Sequence, residues 1–173
     1  GYDVPLRGAI KNGVIDGGGY GNIGSVVGEQ LDMRYNDYGN GFRVHRSLNY
    51  INSHDTFRPI VDEKGNYKDW GGDELGGHAD PFNQRMGMAY ATIFGMDGNI
   101  SVFFEDLFNL SNSNRYSHMP ADEKALPVRD YLKNIIWCHQ NLWFKYGDYK
   151  VAGNMWENNN SKLSEDVLIL ERA

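Results

Sequence analysis

At 173 residues, 40% hydrophobic and 13% aromatic, the chain is long and apolar enough to bury a core, which excludes a disordered tail. Its formal net charge of −6 is spread without a basic stripe, so nucleic acid is not an expected partner. No apolar run approaches the roughly 20 residues that span a bilayer, so a membrane is not expected either, and the single cysteine, Cys138, excludes an internal disulfide framework and a multi-cysteine metal site.

Gly1-Tyr2-Asp3-Val4 is neither an initiator methionine nor a signal peptide, and it reads as the interior of a longer polypeptide. Asp3-Val4-Pro5-Leu6 reads as the end of a strand, followed by a weak helical stretch from Arg7 that runs into Gly13 and Gly17-Gly18-Gly19. Between Arg43 and Asn52 the β-formers Val44, Leu48, Tyr50 and Ile51 cluster, and the run ends in the polar Ser53-His54-Asp55. That pattern predicts a buried strand with a polar mouth. Residues 56 to 79 carry Gly65, Gly71, Gly72, Gly76 and Gly77 among charges, with neither helical nor strand period, and are expected to form an extended excursion.

Asp80-Pro81 predicts a helix start, with Phe82, Met86, Ala89, Tyr90 and Ile93 at helical spacing up to Gly95. Ile100-Ser101-Val102-Phe103-Phe104 is nearly continuous in apolar character, the pattern of a strand covered on both faces in a parallel sheet, and Glu105-Asp106 ends it. Those two carboxylates either shape a site at the strand end or begin a solvated loop, and the loop is favoured. Pro127 opens a long helix with Val128, Tyr131, Leu132, Ile135, Ile136, Leu142 and Trp143 at three- and four-residue steps. Beyond Gly147, Tyr149 to Val151 and Val167 to Leu170 read as antiparallel strands around a polar Glu157-Asn158-Asn159-Asn160-Ser161 stretch. The alternation of strand and helix predicts an α/β fold, either an open sheet or part of a (β/α)8 barrel.

The sharpest chemical feature is Asn52-Ser53-His54-Asp55, where a hydrophobic strand delivers a histidine and a carboxylate side by side at its C-terminal end. In α/β folds that end carries the reacting groups. A carboxylate there stabilises developing positive charge and an imidazole bonds to hydroxyls; equally, Asp55 as a local cap and His54 as a satisfied core histidine would account for the same residues. Arg58, just past the pair, either reaches a carboxylate or sugar hydroxyl or is a surface loop arginine. Gly19-Tyr20-Gly21-Asn22-Ile23-Gly24 matches a dinucleotide-binding glycine pattern, with Asp37 downstream, but no strong strand precedes it and no good helix follows. His45, His54, Asp55, Asp73, Glu74 and His78 lack metal-ligand spacing, so no cofactor is expected, and a calcium ion on loop carboxylates such as Asp73 is the one metal this composition would suit. Three formal glycosylation sequons, at Asn99, Asn109 and Asn159, carry no localisation in an Asn/Ser-rich chain.

Asn52-Ser53-His54-Asp55 resembles the seventh-strand motif of the alpha-amylase family, a hydrophobic run followed by Asn-His-Asp. Asp3-Val4-Pro5-Leu6-Arg7 is similar to the family's sixth strand and Gly98-Asn99-Ile100-Ser101-Val102-Phe103-Phe104-Glu105-Asp106 to its eighth; Arg85 stands in the intervening helix, where the family tends to place a basic residue. Two departures are evident: Ser53 separates the expected Asn and His, and Glu105-Asp106-Leu107 replaces Gly-Asp-Glu. The resemblance implies that residues 1–146 are the C-terminal portion of a (β/α)8 TIM-type barrel, strands six to eight with their helices, and that 147–173 begin an antiparallel β-sandwich domain. It implies an alpha-glucan or oligosaccharide as substrate, a retaining mechanism, Asp55 as the transition-state carboxylate, and His54 with Arg58 as sugar-binding residues. The nucleophile and acid/base of the family lie on strands four and five, which would precede Gly1, so the chain alone is expected to be inactive. The N-terminal half of the same barrel is the expected partner, with a homodimer as the fallback; localisation stays open, with secretion or a periplasmic location favoured by the resemblance. A non-catalytic carbohydrate-binding or assembly module is the alternative.

Overall fold

The structure is a computed structural model that describes residues 2–16, 26, 48–56, 59–64, 67–70, 77–81, 83–96, 98–108, 129–142, 149–154 and 167–172. Its centre is a parallel pair, β1 (Leu48–Tyr50) with β4 (Asn99–Ser101), in the register Leu48↔Asn99, Asn49↔Ile100 and Tyr50↔Ser101. Tyr2 bridges Leu48 in parallel on the other side of β1. Three segments therefore lie side by side in chain order, with β1 in the middle.

The expected first strand is reduced to that bridge. Asp3 donates its N–H to the Leu48 carbonyl at 3.0 Å, and its side chain accepts from Leu6 N, also at 3.0 Å, so the chain turns directly into helix α1 (Val4–Ile10). A capping aspartate followed by a proline in the first turn is a strong helix start, and it wins over strand extension here. A π-helical turn, Lys11–Ile15, extends α1 and buries Val14 and Ile15.

Within the stretch expected to have no regular structure, β2 (Pro59–Val61) and β3 (Tyr67–Trp70) form an antiparallel pair with a register shift at Ile60/Val61. Helix α2 (Met86–Gly95) begins later than Asp80-Pro81 suggests. Asp80 instead opens a turn, with Asn83 N bonding to Asp80 O at 2.9 Å, and the Asn83 side chain accepts from Arg85 N before the helix starts. Met86, Ala89, Tyr90 and Ile93 face the core as the spacing predicts; Phe82 lies outside the described residues.

After β4 the chain does not continue as a strand through Phe104. It forms the single helical turn α3 (Phe104–Leu107), and Phe104 is exposed. Helix α4 (Asp130–Asn141) covers α2, burying Leu132 with Tyr131, Ile135 and Ile136 packed beside it; Leu142, expected on the apolar face, is 57% exposed. Val128 and Trp143 lie outside the described residues. Strands β5 (Tyr149–Asn154) and β6 (Leu168–Arg172) pair antiparallel, as the pattern beyond Gly147 predicts. Leu168 and Leu170 pack onto the core. The space between α2, α4 and β6 holds a cavity of about 400 Å³ lined by Phe94, Ile135, Cys138 and these two leucines among others.

Candidate functional site

Ile51 and Asn52 leave β1 fully buried, and the chain then turns through Ser53, His54, Asp55 and Thr56. Local hydrogen bonds close this turn: Thr56 N to Ser53 O at 3.2 Å, Ser53 N to Thr56 Oγ1 at 2.9 Å, and Asp55 N to Ser53 Oγ at 3.2 Å. The turn pushes two side chains outward. His54 Nε2 lies 3.2 Å from Asp55 Oδ1, and the two side chains are 76% and 44% exposed. His54 is thus not a core histidine, and the pair stands open at the C-terminal end of the central strand.

Both ends of the turn are held by two consecutive residues of another segment. The Asn52 amide donates to Ala79 O at 2.8 Å and its Oδ1 accepts from Ala79 N at 2.9 Å. Thr56 Oγ1 meets His78 Nδ1 at 3.2 Å and also lies 3.0 Å from Ser53 O. A hydroxyl has one proton to give, so donation to the Ser53 carbonyl requires His78 to carry its proton on Nδ1. The His78 ring packs edge-on against Phe103 at 5.7 Å between centroids.

Asn52 makes a third bond, from Nδ2 to Asp106 Oδ1 at 3.0 Å, while Tyr90 OH donates to Asp106 Oδ2 at 2.5 Å. Asp106 is completely buried, so the expectation of a solvated loop start after β4 is wrong for this residue. The single turn α3, with Asp106 N bonded to Phe103 O at 3.0 Å, brings the carboxylate back under the end of β1. Burial raises its pKa to about 6; the bonds from Tyr90 and Asn52 and the positive charges of Arg129 and Arg7 pull in the opposite direction without cancelling it. Tyr90 is pushed well above its usual value, first by burial and then by the neighbouring Asp106.

Arg7, on α1, is also buried. Its Nε donates to Ile51 O at 2.7 Å, it donates to Gly77 O as well, and the guanidinium lies 5.8 Å from the centre of the Tyr50 ring. The end of β1 is therefore held by Arg7 of α1, by His78-Ala79, and by Asp106 of α3. The sequence pattern marks Tyr90 as a core-facing helix position and Asp106 as a strand-end carboxylate with a solvated loop favoured, but it assigns none of Arg7, Asn52, His78, Tyr90 and Asp106 the contact it makes. A buried carboxylate just past an apolar strand carries no local mark that separates it from an exposed one.

Arg58, Asp73, Asp37 and the glycine pattern at 19–24 lie outside the described residues. Among the described residues no group of three or more His, Cys, Asp and Glu is arranged to hold a metal ion. The cavity beside β6 is lined by none of the turn residues and is apolar in character, so it adds nothing to the chemistry of His54 and Asp55. No family model, curated protein or solved structure matches the chain.

Proposed function

We propose that the chain is the sixth-to-eighth strand portion of an alpha-amylase-like glycoside hydrolase, with the start of an antiparallel β domain from residue 147, acting on alpha-glucans by a retaining mechanism. The observation that supports this is the outward-facing His54–Asp55 pair at the C-terminal end of a parallel strand flanked in chain order by Tyr2 and β4. Consecutive parallel segments joined through helices are what that part of a barrel requires, and its chemistry sits at the C-terminal ends of its strands.

In this reading Asp55 stabilises the oxocarbenium-like charge that develops on the sugar, while His54 bonds to an adjacent hydroxyl and holds the Asp55 carboxylate from the side. Retaining hydrolysis also needs a nucleophile and an acid/base carboxyl about 5–5.5 Å apart, contributed by strands outside these 173 residues. Arg58 remains a sugar-binding residue by resemblance alone.

The second reading, a module that binds carbohydrate without cleaving it, draws on the exposure of the pair, because an open imidazole and carboxylate bond to hydroxyls without excluding water. One experiment separates the two. In the parent polypeptide carrying this segment, Asp55→Asn is expected to lower kcat on soluble starch about 100- to 1,000-fold with KM nearly unchanged, since the charge it meets exists only in the transition state. An unchanged kcat removes Asp55 from the reaction; maltooligosaccharide binding by calorimetry in a parent that releases no reducing sugar points to the module.

A further inference from the structure

The polar residues beneath the His54–Asp55 turn do more than satisfy one another. Asn52 is the last buried residue before the turn, and its amide has all of its bonds fixed: two to the Ala79 backbone and one to Asp106. The Ala79 N–H, which can only donate, sets which end of the amide is oxygen. With Oδ1 committed to Ala79, the amide nitrogen faces Asp106, a carboxylate on α3 that is itself anchored to α2 through Tyr90.

Resting on the reading of His54 and Asp55 as the sugar-facing pair, we propose that Asp106 is the positioning residue of that pair: through Asn52 it fixes the turn from which both side chains project. Asp106 touches neither of them, so its effect is orientation. A buried carboxylate serving only stability is weakly motivated, since an apolar side chain of similar volume fills such a space without the cost of desolvating a charge. Here the ion accepts from two neutral donors on two different elements, Asn52 at the end of β1 and Tyr90 on α2. That arrangement ties the strand end that carries the pair to the helix behind it. Small displacements of a reacting group are costly: an error of about 1 Å from a remote change lowers turnover about 100-fold.

The test uses the parent protein with Asp106→Ser, which is too short to reach Asn52, and Asp106→Asn, which keeps an acceptor for it. Asp106→Ser is expected to lower kcat about 10- to 100-fold with KM within about threefold, and Asp106→Asn to recover most of that loss. In parallel, the imidazole signals of His54 are followed by NMR, with His139 on α4 as the control for general disturbance. Asp106→Ser is expected to move the His54 signals and leave those of His139 in place. Should Asp106→Ser not fold, Tyr90→Phe removes the other hold on the carboxylate and is expected to shift His54 in the same direction by a smaller amount. Unmoved His54 signals in every folded variant, or equal kcat for the Ser and Asn variants, overturn the proposal. If His54 moves while Asp55→Asn leaves hydrolysis untouched, the positioning stands and the sugar-site reading fails, so the two are told apart.

Discussion

At Asp106 the folded protein binds a proton more tightly than the unfolded chain does, because burial raises its pKa from 3.8 to about 6. Between those values the unfolded state has released its proton while the native state retains it, so this group's contribution to stability is fully present below pH 4 and is lost as pH rises through about 6. The size of the effect is on the order of 3 kcal/mol. Asp106→Asn removes the titration. The difference in Tm between this variant and the parent is therefore expected to move in favour of the variant as pH rises from 4 to 7, and to level off above that; scanning fluorimetry across this range measures it. A flat difference would mean that Asp106 does not titrate in this window. Tyr50 presents a related case: its side chain is completely buried, its hydroxyl has no hydrogen-bond partner among the described residues, and burial raises its pKa.

At the scale of elements, Gly98 shows how tightly the entry to β4 is built. It has φ +125°, a backbone conformation that side chains resist, and a Cβ built there would lie 2.9 Å from the Asn49 side chain on β1. Gly98→Ala is expected to destabilise the protein by about 1–3 kcal/mol, read as a lower urea midpoint with an unchanged slope. A midpoint equal to the parent's would show that the β1–β4 junction relaxes freely. The elements that were legible in the sequence are those whose signals are local: the core face of α2 at Met86, Ala89, Tyr90 and Ile93, the body of α4, and the β5–β6 pairing. The misplaced features depend on partners distant in sequence. Asp3 looked like strand because apolar residues follow it, yet its side chain bonds Leu6 N and starts a helix. The β2–β3 pair was hidden by the glycines and charges around it. Ser53-His54-Asp55 reads as a polar mouth from its own residues, while its frame of Asp106, Tyr90, His78 and Arg7 comes from four other segments and is not legible in any one of them.

For the whole molecule, the described parallel sheet is small: β4 pairs with β1 alone among the described residues, and β1 has Tyr2 on its other side. In the partial-barrel reading such outer segments are paired by the remaining strands, and unpaired backbone there attracts another chain. The isolated chain is expected to release no reducing sugar from soluble starch and to associate with itself as concentration rises, in preference to staying monomeric. Adding the complementary N-terminal polypeptide is expected to replace self-association with a one-to-one complex. Light scattering at several concentrations, with and without that polypeptide, checks both expectations; a stable monomer at every concentration would mean the sheet edges are already satisfied.

The parallel pairing of Leu48 with Asn99 also governs how the protein reaches its fold. Two strands running in the same direction cannot be joined by a tight turn, and here the chain must close a loop of about fifty residues before the first ladder bond forms, an entropic toll of about 3.5 kcal/mol. The bonds that grip the end of β1 are of the same long-range kind, Asn52 reaching Asp106 and Arg7 reaching Ile51. The helices and the β5–β6 hairpin assemble from neighbours and form early, whereas the His54–Asp55 turn takes its final shape only when the slowest, most distant contacts have closed.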